Sequence, residues 1–330
     1  MPIDFLKCKI LDDELIQQVW ENPLLEFHSK YEKRYDDVIY EVITRKFENL
    51  FFVKHQNRLE ISGSIHYFFN DGLHNANDFY IEDSIETIYY IQDLFKLDLE
   101  KCFLINLEYG VNIIPSVSIN ELILYLIYHE KNPFIRSTEH NEYRIAGFST
   151  YKQAKGYNKG VQFPHYCNPN TFRFEIKTAQ AKFIKRLGLL TLNDLTYSFN
   201  YNVLLNSLLK EWDNVLLFDK SKPIEDKFFN TNFWEEVILA KNRNKFNNQK
   251  KLYYKKLGAD NLHANIRKII ERKTKYLKCV HIRYSDESTP LIPEQSTPRF
   301  RNKVRHLFRS KVHQSNRPLS SLSKDDIFQS

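Results

Sequence analysis

The chain has 330 residues, 42% of them hydrophobic and 27% charged, a balance that excludes a disordered chain and supports a globular one. Its formal charge of +7 is modest, but Lys and Arg crowd the segments after about residue 240, which points to a polyanion partner, the plainer alternative being a solvated basic face. Asp4 and Lys7 interrupt the first apolar stretch and no apolar run approaches the roughly 18 residues that span a bilayer, so no membrane partner is expected and a cytoplasmic location is.

In chain order, residues 3–10 alternate like a strand, and the following DDELIQQVW has helical spacing opened by acidic residues. The runs 50–55 and 58–69 flank a polar Gln56–Asn57 and read as a hairpin. Helical spacing from Ser84 to Leu97 gives way to a strand over 102–114, then to a helix over 119–130. Strands are expected at about 143–148, 155–163 and 172–177. The block 1–178 therefore predicts an α+β plan, an antiparallel sheet with crossing helices. Beyond Thr178 the spacing is helical with no convincing strand, so 179–285 predicts a helical, basic, DNA-binding region and 286–330 a flexible basic tail. Cys8, Cys102, Cys167 and Cys279 never form a C-x-x-C pair, and no phosphate-binding glycine loop occurs.

Alternation across the strand at 102–114 places Phe103, Ile105, Leu107, Tyr109, Val111 and Ile113 on one face, leaving Asn106, Glu108, Gly110 and Asn112 on the other. The strand at 172–177 likewise sets Arg173, Glu175 and Lys177 opposite Phe172, Phe174 and Ile176. If the polar faces converge, Glu108 and Glu175 could hold a divalent cation, Mg2+ or Mn2+, with Asn112 as a neutral ligand. The alternative is that each glutamate is the solvated side of a half-buried strand, paired with a neighbouring Arg or Lys. Between the two strands several tyrosines sit among basic residues. A tyrosine beside a phosphodiester can act as a nucleophile, although in a chain with 20 tyrosines most serve packing.

The order YNKGVQF (157–163), RFEIK (173–177) and the K-R-L-G-L-x-T-L-x-D-L run (185–195), with LEYGVNI before them, resembles the rolling-circle replication initiators of plasmids and filamentous phages. The resemblance covers roughly residues 102–200. It implies Glu108 and Glu175 as metal or catalytic carboxylates, Arg173 and Lys159 as phosphate contacts with Lys177 beside them, and a tyrosine nucleophile in or upstream of the 157–163 segment. Tyr151 is the first choice, with Tyr143 and Tyr157 as alternatives. Where the family pattern has a second acidic residue this chain has Asn112, and no His-hydrophobe-His pair occurs among its 11 histidines.

The function so implied is a replication initiator that binds origin DNA, as duplex and single strand, and nicks one strand through tyrosine with divalent-metal assistance, working alongside a host helicase and polymerase. A relaxase-like mobilisation protein would use the same chemistry, and a non-catalytic DNA-binding or regulatory protein is the rival of a different class. In the helical region Arg243, Lys245, Lys250, Lys251, Arg267, Lys268, Arg272 and Lys273 are the expected DNA contacts.

Overall fold

A computed structural model describes residues 3–35, 38–136, 143–147, 151–242 and 244–278. Strand β1 (Ile3–Ile10) leads into helix α1 (Asp13–Trp20), whose N-terminus is capped by the Asp12 side chain accepting the Leu15 N–H. A meander of β2 (Glu26–Tyr35), β3 (Val38–Phe47), β4 (Leu50–Lys54) and β5 (Leu59–Ser64) follows, then α2 (Ile65–Phe69) and α3 (Ile81–Phe95). Next come β6 (Phe103–Ile113), α4 (Ile119–Tyr125), β7 (Leu126–His129), β8 (Asn132–Arg136), β9 (Tyr143–Ala146), β10 (Lys152–Asn158), the single turn α5 (Lys159–Gln162) and β11 (Phe172–Thr178). The remainder holds α6 (Ala181–Arg186), α7 (Asn200–Asp213), β12 (Val215–Leu217), α8 (Thr231–Leu239), α9 (Lys245–Leu257) and α10 (Leu262–Tyr276). The fold is α+β, with a mainly helical C-terminal region.

Twelve strands form one sheet in the order β12-β7-β8-β9-β10-β11-β6-β1-β5-β4-β3-β2, with antiparallel neighbours throughout. The apolar face of its centre, carrying Tyr109, Val111, Phe174 and Ile176, packs under α7 and α10. There Trp212 meets Phe174 edge-on at 5.0 Å, and Leu262, Ile266 and Ile270 join the same core. That core runs across residue 178 without a break. A second cluster, around Phe228, Trp234, Phe246 and Tyr253, ties α8 and α9 to Tyr128 and Leu216 at the β7–β12 end.

Several elements depart from the sequence expectation for local reasons. The strand expected over 58–69 stops at Ser64, whose hydroxyl accepts the Tyr67 N–H at 3.1 Å and starts α2. The helix expected over 119–130 ends at Tyr125 and continues as β7. β2 and β3 carry no clean alternation because β2 is exposed along residues 26–34, so neither of its faces demands apolar residues. The face assignment of 102–114 holds only from Leu107 onward. Lys7 pairs with Asn106 and Cys8 with Leu104, so Ile105 is the extra residue of a bulge, which leaves Leu104 buried and Phe103 exposed.

The strand missed beyond Thr178, β12, is a sheet edge of three residues, and α9 seals it. Tyr254 Oη accepts the Leu217 N–H and donates to the Val215 carbonyl, while Tyr253 Oη accepts the Asp219 N–H and donates to the Leu217 carbonyl, at 2.8–3.1 Å. Two phenols thus satisfy backbone groups that an edge strand otherwise leaves unpaired. No helix among the described residues is long and apolar enough to cross a membrane.

Candidate active site

Register places the expected site residues in rows across the polar face of β9, β10, β11 and β6. Tyr143, Tyr157, Arg173 and Asn112 form one row, Ile145, Lys155, Glu175 and Gly110 the next, and Gln153, Lys177 and Glu108 the third. Each strand supplies every second residue, so side chains separated in sequence by dozens of positions stand beside one another. Gly110 is required here, because a Cβ at that position would lie 2.4 Å from the Glu175 Cβ and 2.5 Å from the Phe174 carbonyl oxygen.

Glu175 is the hub of the cluster. Its Oε1 accepts from Lys155 Nζ at 2.9 Å, and its Oε2 accepts from Arg173 Nε at 2.6 Å and from the Tyr157 hydroxyl at 3.1 Å. Burial opposes its charge, yet the Lys155 ammonium and the Arg173 guanidinium outweigh burial and hold its carboxyl well below the usual carboxylate range. Lys155 Nζ also reaches Glu108 Oε2 at 2.8 Å, while Glu108 Oε1 pairs with Lys177 Nζ at 3.0 Å. Burial would discharge Lys155, but Glu175 and Glu108 together raise its pKa above that of an ordinary lysine.

Arg173 is fully buried and every side of its guanidinium is engaged. Besides Glu175, Nη1 donates to Asn112 Oδ1 at 3.0 Å and Nη2 to Asp4 Oδ2 at 3.2 Å. Asp4 reaches this cluster through a second bulge, since Ile3 pairs with Tyr109 and Phe5 with Glu108, making Asp4 the extra residue. It accepts in addition from Ser64 Oγ and from Asn75 Nδ2. The segment after α2 roofs this end. Asn112 Nδ2 donates to the Ala76 carbonyl, and Lys159 Nζ donates to Asn75 Oδ1 at 2.6 Å and Gln162 Oε1 at 3.0 Å. Burial, with Arg173 nearby, brings the Lys159 ammonium down to a pKa of about 8. His66, stacked on Phe79 with 4.5 Å between centroids, donates from Nε2 to Asn77 Oδ1 while its buried Nδ1 has no partner, and burial lowers it to about 3.

The three candidate tyrosines divide between two places. Tyr157 and Tyr143 belong to the cluster, their rings stacked at 4.2 Å with planes 10° apart. Tyr157 is only 3% exposed, and its phenol is pushed well above an ordinary tyrosine by burial and then by Glu175. The same two causes push Tyr143 up to about 12. Tyr151, the first choice from sequence, is not brought to the carboxylates. It precedes β10, four positions from Lys155, or roughly 13 Å along a strand, and its ring lies under Arg186 (4.8 Å) and Lys182 (5.7 Å).

Glu108 and Glu175 do converge, as a shared ion requires, but the Lys155 ammonium fills the place between them. Asn112 turns both polar atoms to other partners, the Arg173 guanidinium and the Ala76 carbonyl. No group of three His, Cys, Asp or Glu residues able to hold a metal exists among the described residues. The side chains present, with Lys155 in position, do not fit Mg2+ or Mn2+. Asp4, Lys155, Asn75 and His66 are the members of the cluster that sequence patterning missed. A signal for Asp4 was present, since apolar positions pass from odd (Ile3) to even (Leu6, Cys8, Ile10), the break in period that a bulge produces.

Of the expected DNA contacts in the helical region, Lys245, Lys251, Lys268 and Arg272 are exposed on α9 and α10. Arg267 pairs with Asp213 at 2.7 Å and Lys273 with Asp78 at 2.6 Å. Lys250 is turned inward, its Nζ donating to the Asp213 carbonyl at 2.8 Å, and burial lowers its pKa to about 8, so its place is structural. Phe246 and Tyr253 are core residues. Arg243 and the expected tail at 286–330 lie outside the described residues.

No protein-family model matches the chain, and no curated protein matches it. Among solved structures the chain is similar to a rolling circle replication initiator protein from Geobacillus stearothermophilus, with 13% identity and a TM-score of 0.40 over 72% of this chain and 94% of that one. At that distance the likeness is one of coarse fold and assigns no role to any residue.

Proposed function

We propose that the chain is a DNA-binding protein of the replication-initiator kind that nicks one strand through Tyr157. The observation that carries this reading is the Tyr157 hydroxyl donating to Glu175 Oε2 at 3.1 Å, with Lys155, Arg173 and Lys159 gathered around the pair. A phenol beside a carboxylate is a nucleophile with a proton acceptor in reach, and the surrounding cations suit a phosphodiester. In attack, the Tyr157 oxygen bonds to phosphorus and the phosphorus bond to the 3′ oxygen breaks, leaving a 5′-phosphotyrosyl link and a free 3′-hydroxyl. The phenolic proton passes to Glu175, and the departing 3′ oxygen takes up one proton from water as it leaves, so that the 3′-hydroxyl is complete. That carboxylate is a weak base while two cations hold it, and a substrate phosphate that draws Lys155 toward itself restores its basicity. Because the Tyr143 ring stacks on that of Tyr157, which is buried, attack also requires the Tyr143 side chain to move aside. Mobilisation of a DNA element would use the same step.

The test is incubation with supercoiled circles carrying the DNA that flanks the coding sequence, followed by mass spectrometry of any covalent adduct. A phosphotyrosyl peptide bearing Tyr157, absent from Tyr157→Phe, is the expected result. An adduct on Tyr143 or Tyr151 would move the nucleophile there. A second reading, a DNA-binding protein without catalysis, is favoured by the complete internal pairing of Glu175 and the burial of Tyr157. Salt-dependent DNA binding with no adduct on any tyrosine would establish that reading in place of the first.

A further inference from the structure

We infer that the Lys155 ammonium is the resident cation of the Glu108–Glu175 pair and keeps this pair closed to divalent metal ions. Its Nζ lies 2.8 Å from Glu108 Oε2 and 2.9 Å from Glu175 Oε1. Divalent ions bind carboxylate oxygens at about 2.0–2.6 Å, so an ion at the Nζ position would draw each oxygen inward by less than about 1 Å. The pair has the spacing of a metal site, and a side chain of the protein occupies it.

Charge decides the competition. Glu108 already faces Lys177 at 3.0 Å and Glu175 already faces Arg173 at 2.6 Å, so the two carboxylates have three cations around them. A doubly charged ion added to that set meets net repulsion, whereas one that takes the place of Lys155 meets two carboxylate oxygens turned toward it. The lysine is fixed from below. β10 sets Lys155 opposite Glu175 in register, and Gly110 on the far side of Glu175 leaves the carboxylate room to reach it. Exchange is not blocked by depth either, since the Lys155 and Glu108 side chains are 16% and 12% exposed. The electrostatic work often left to a metal thus falls to a group that needs no loading and does not respond to chelators.

The test measures metal binding and needs no DNA, so its outcome is independent of whether the chain nicks. Wild type, Lys155→Ala and Lys155→Met are titrated with millimolar Mn2+ and followed by electron paramagnetic resonance and by thermal unfolding. Expected are saturable binding and a raised unfolding midpoint in the two variants, abolished when Glu108→Gln is added, and neither effect in wild type. Where a variant does not fold without metal, recovery of native circular dichroism on adding Mn2+ supports the inference in the same way. The inference is overturned if wild type binds Mn2+ through Glu108, or if both variants neither bind it nor recover with it.

Discussion

Glu175 and Arg173 are buried and ionised together, which is tolerable only because each oxygen and each N–H used has a charged or polar partner. His66 stands at the same end of the cluster and remains neutral, since burial brings it from 6.5 down to about 3. Its folded pKa lies below its unfolded one, so the unfolded chain takes up the proton first as pH falls. Stability is intact above about pH 6.5 and is lost toward pH 3, by about 1.4 kcal/mol per pH unit for this one group. Urea unfolding across that window should show the fall, and His66→Asn should flatten it by one proton's slope. The residues of this cluster were unequally legible in sequence. Arg173, Glu175, Asn112 and Glu108 follow from simple alternation in two strands. Asp4 does not, because a bulge moves it to the polar face, and Lys155 does not, because its importance comes from register with β11, which no single strand reveals.

At the scale of elements, the phenols of Tyr253 and Tyr254 replace a neighbouring strand for β12. Removing either hydroxyl leaves a backbone donor and a backbone acceptor without partners, at a cost of about 1–3 kcal/mol. Tyr253→Phe should therefore lower the unfolding midpoint and speed amide exchange at Asp219, and Tyr254→Phe should do so at Leu217. The helical spacing of α9 marks Tyr253 as a core residue from sequence alone. That its hydroxyl reaches β12 is set by packing between elements distant in sequence, and a three-residue strand directly after a fourteen-residue helix has no period of its own to read. β2 was invisible for the opposite reason. It is long enough, but its exposure removes the apolar alternation by which strands are recognised.

For the whole molecule, charge and core divide the basic C-terminal residues between two tasks. Lys251 is exposed on α9 and Lys250, beside it in sequence, is anchored under the end of α7. Lys251→Ala should weaken DNA binding and reduce the slope of log affinity against log salt by about 0.9 with stability unchanged, whereas Lys250→Ala should lower stability. Fluorescence anisotropy at several salt concentrations, beside urea unfolding of the same proteins, separates the two. The sheet has a polarity of a different kind. Its β12 end is sealed by α9, while β2, at the other end, pairs with β3 on one side and with no described strand on the other. Among the described residues the two ends of the sheet therefore differ, one having its backbone groups taken up by phenols of a packed helix and the other formed by a long, exposed strand.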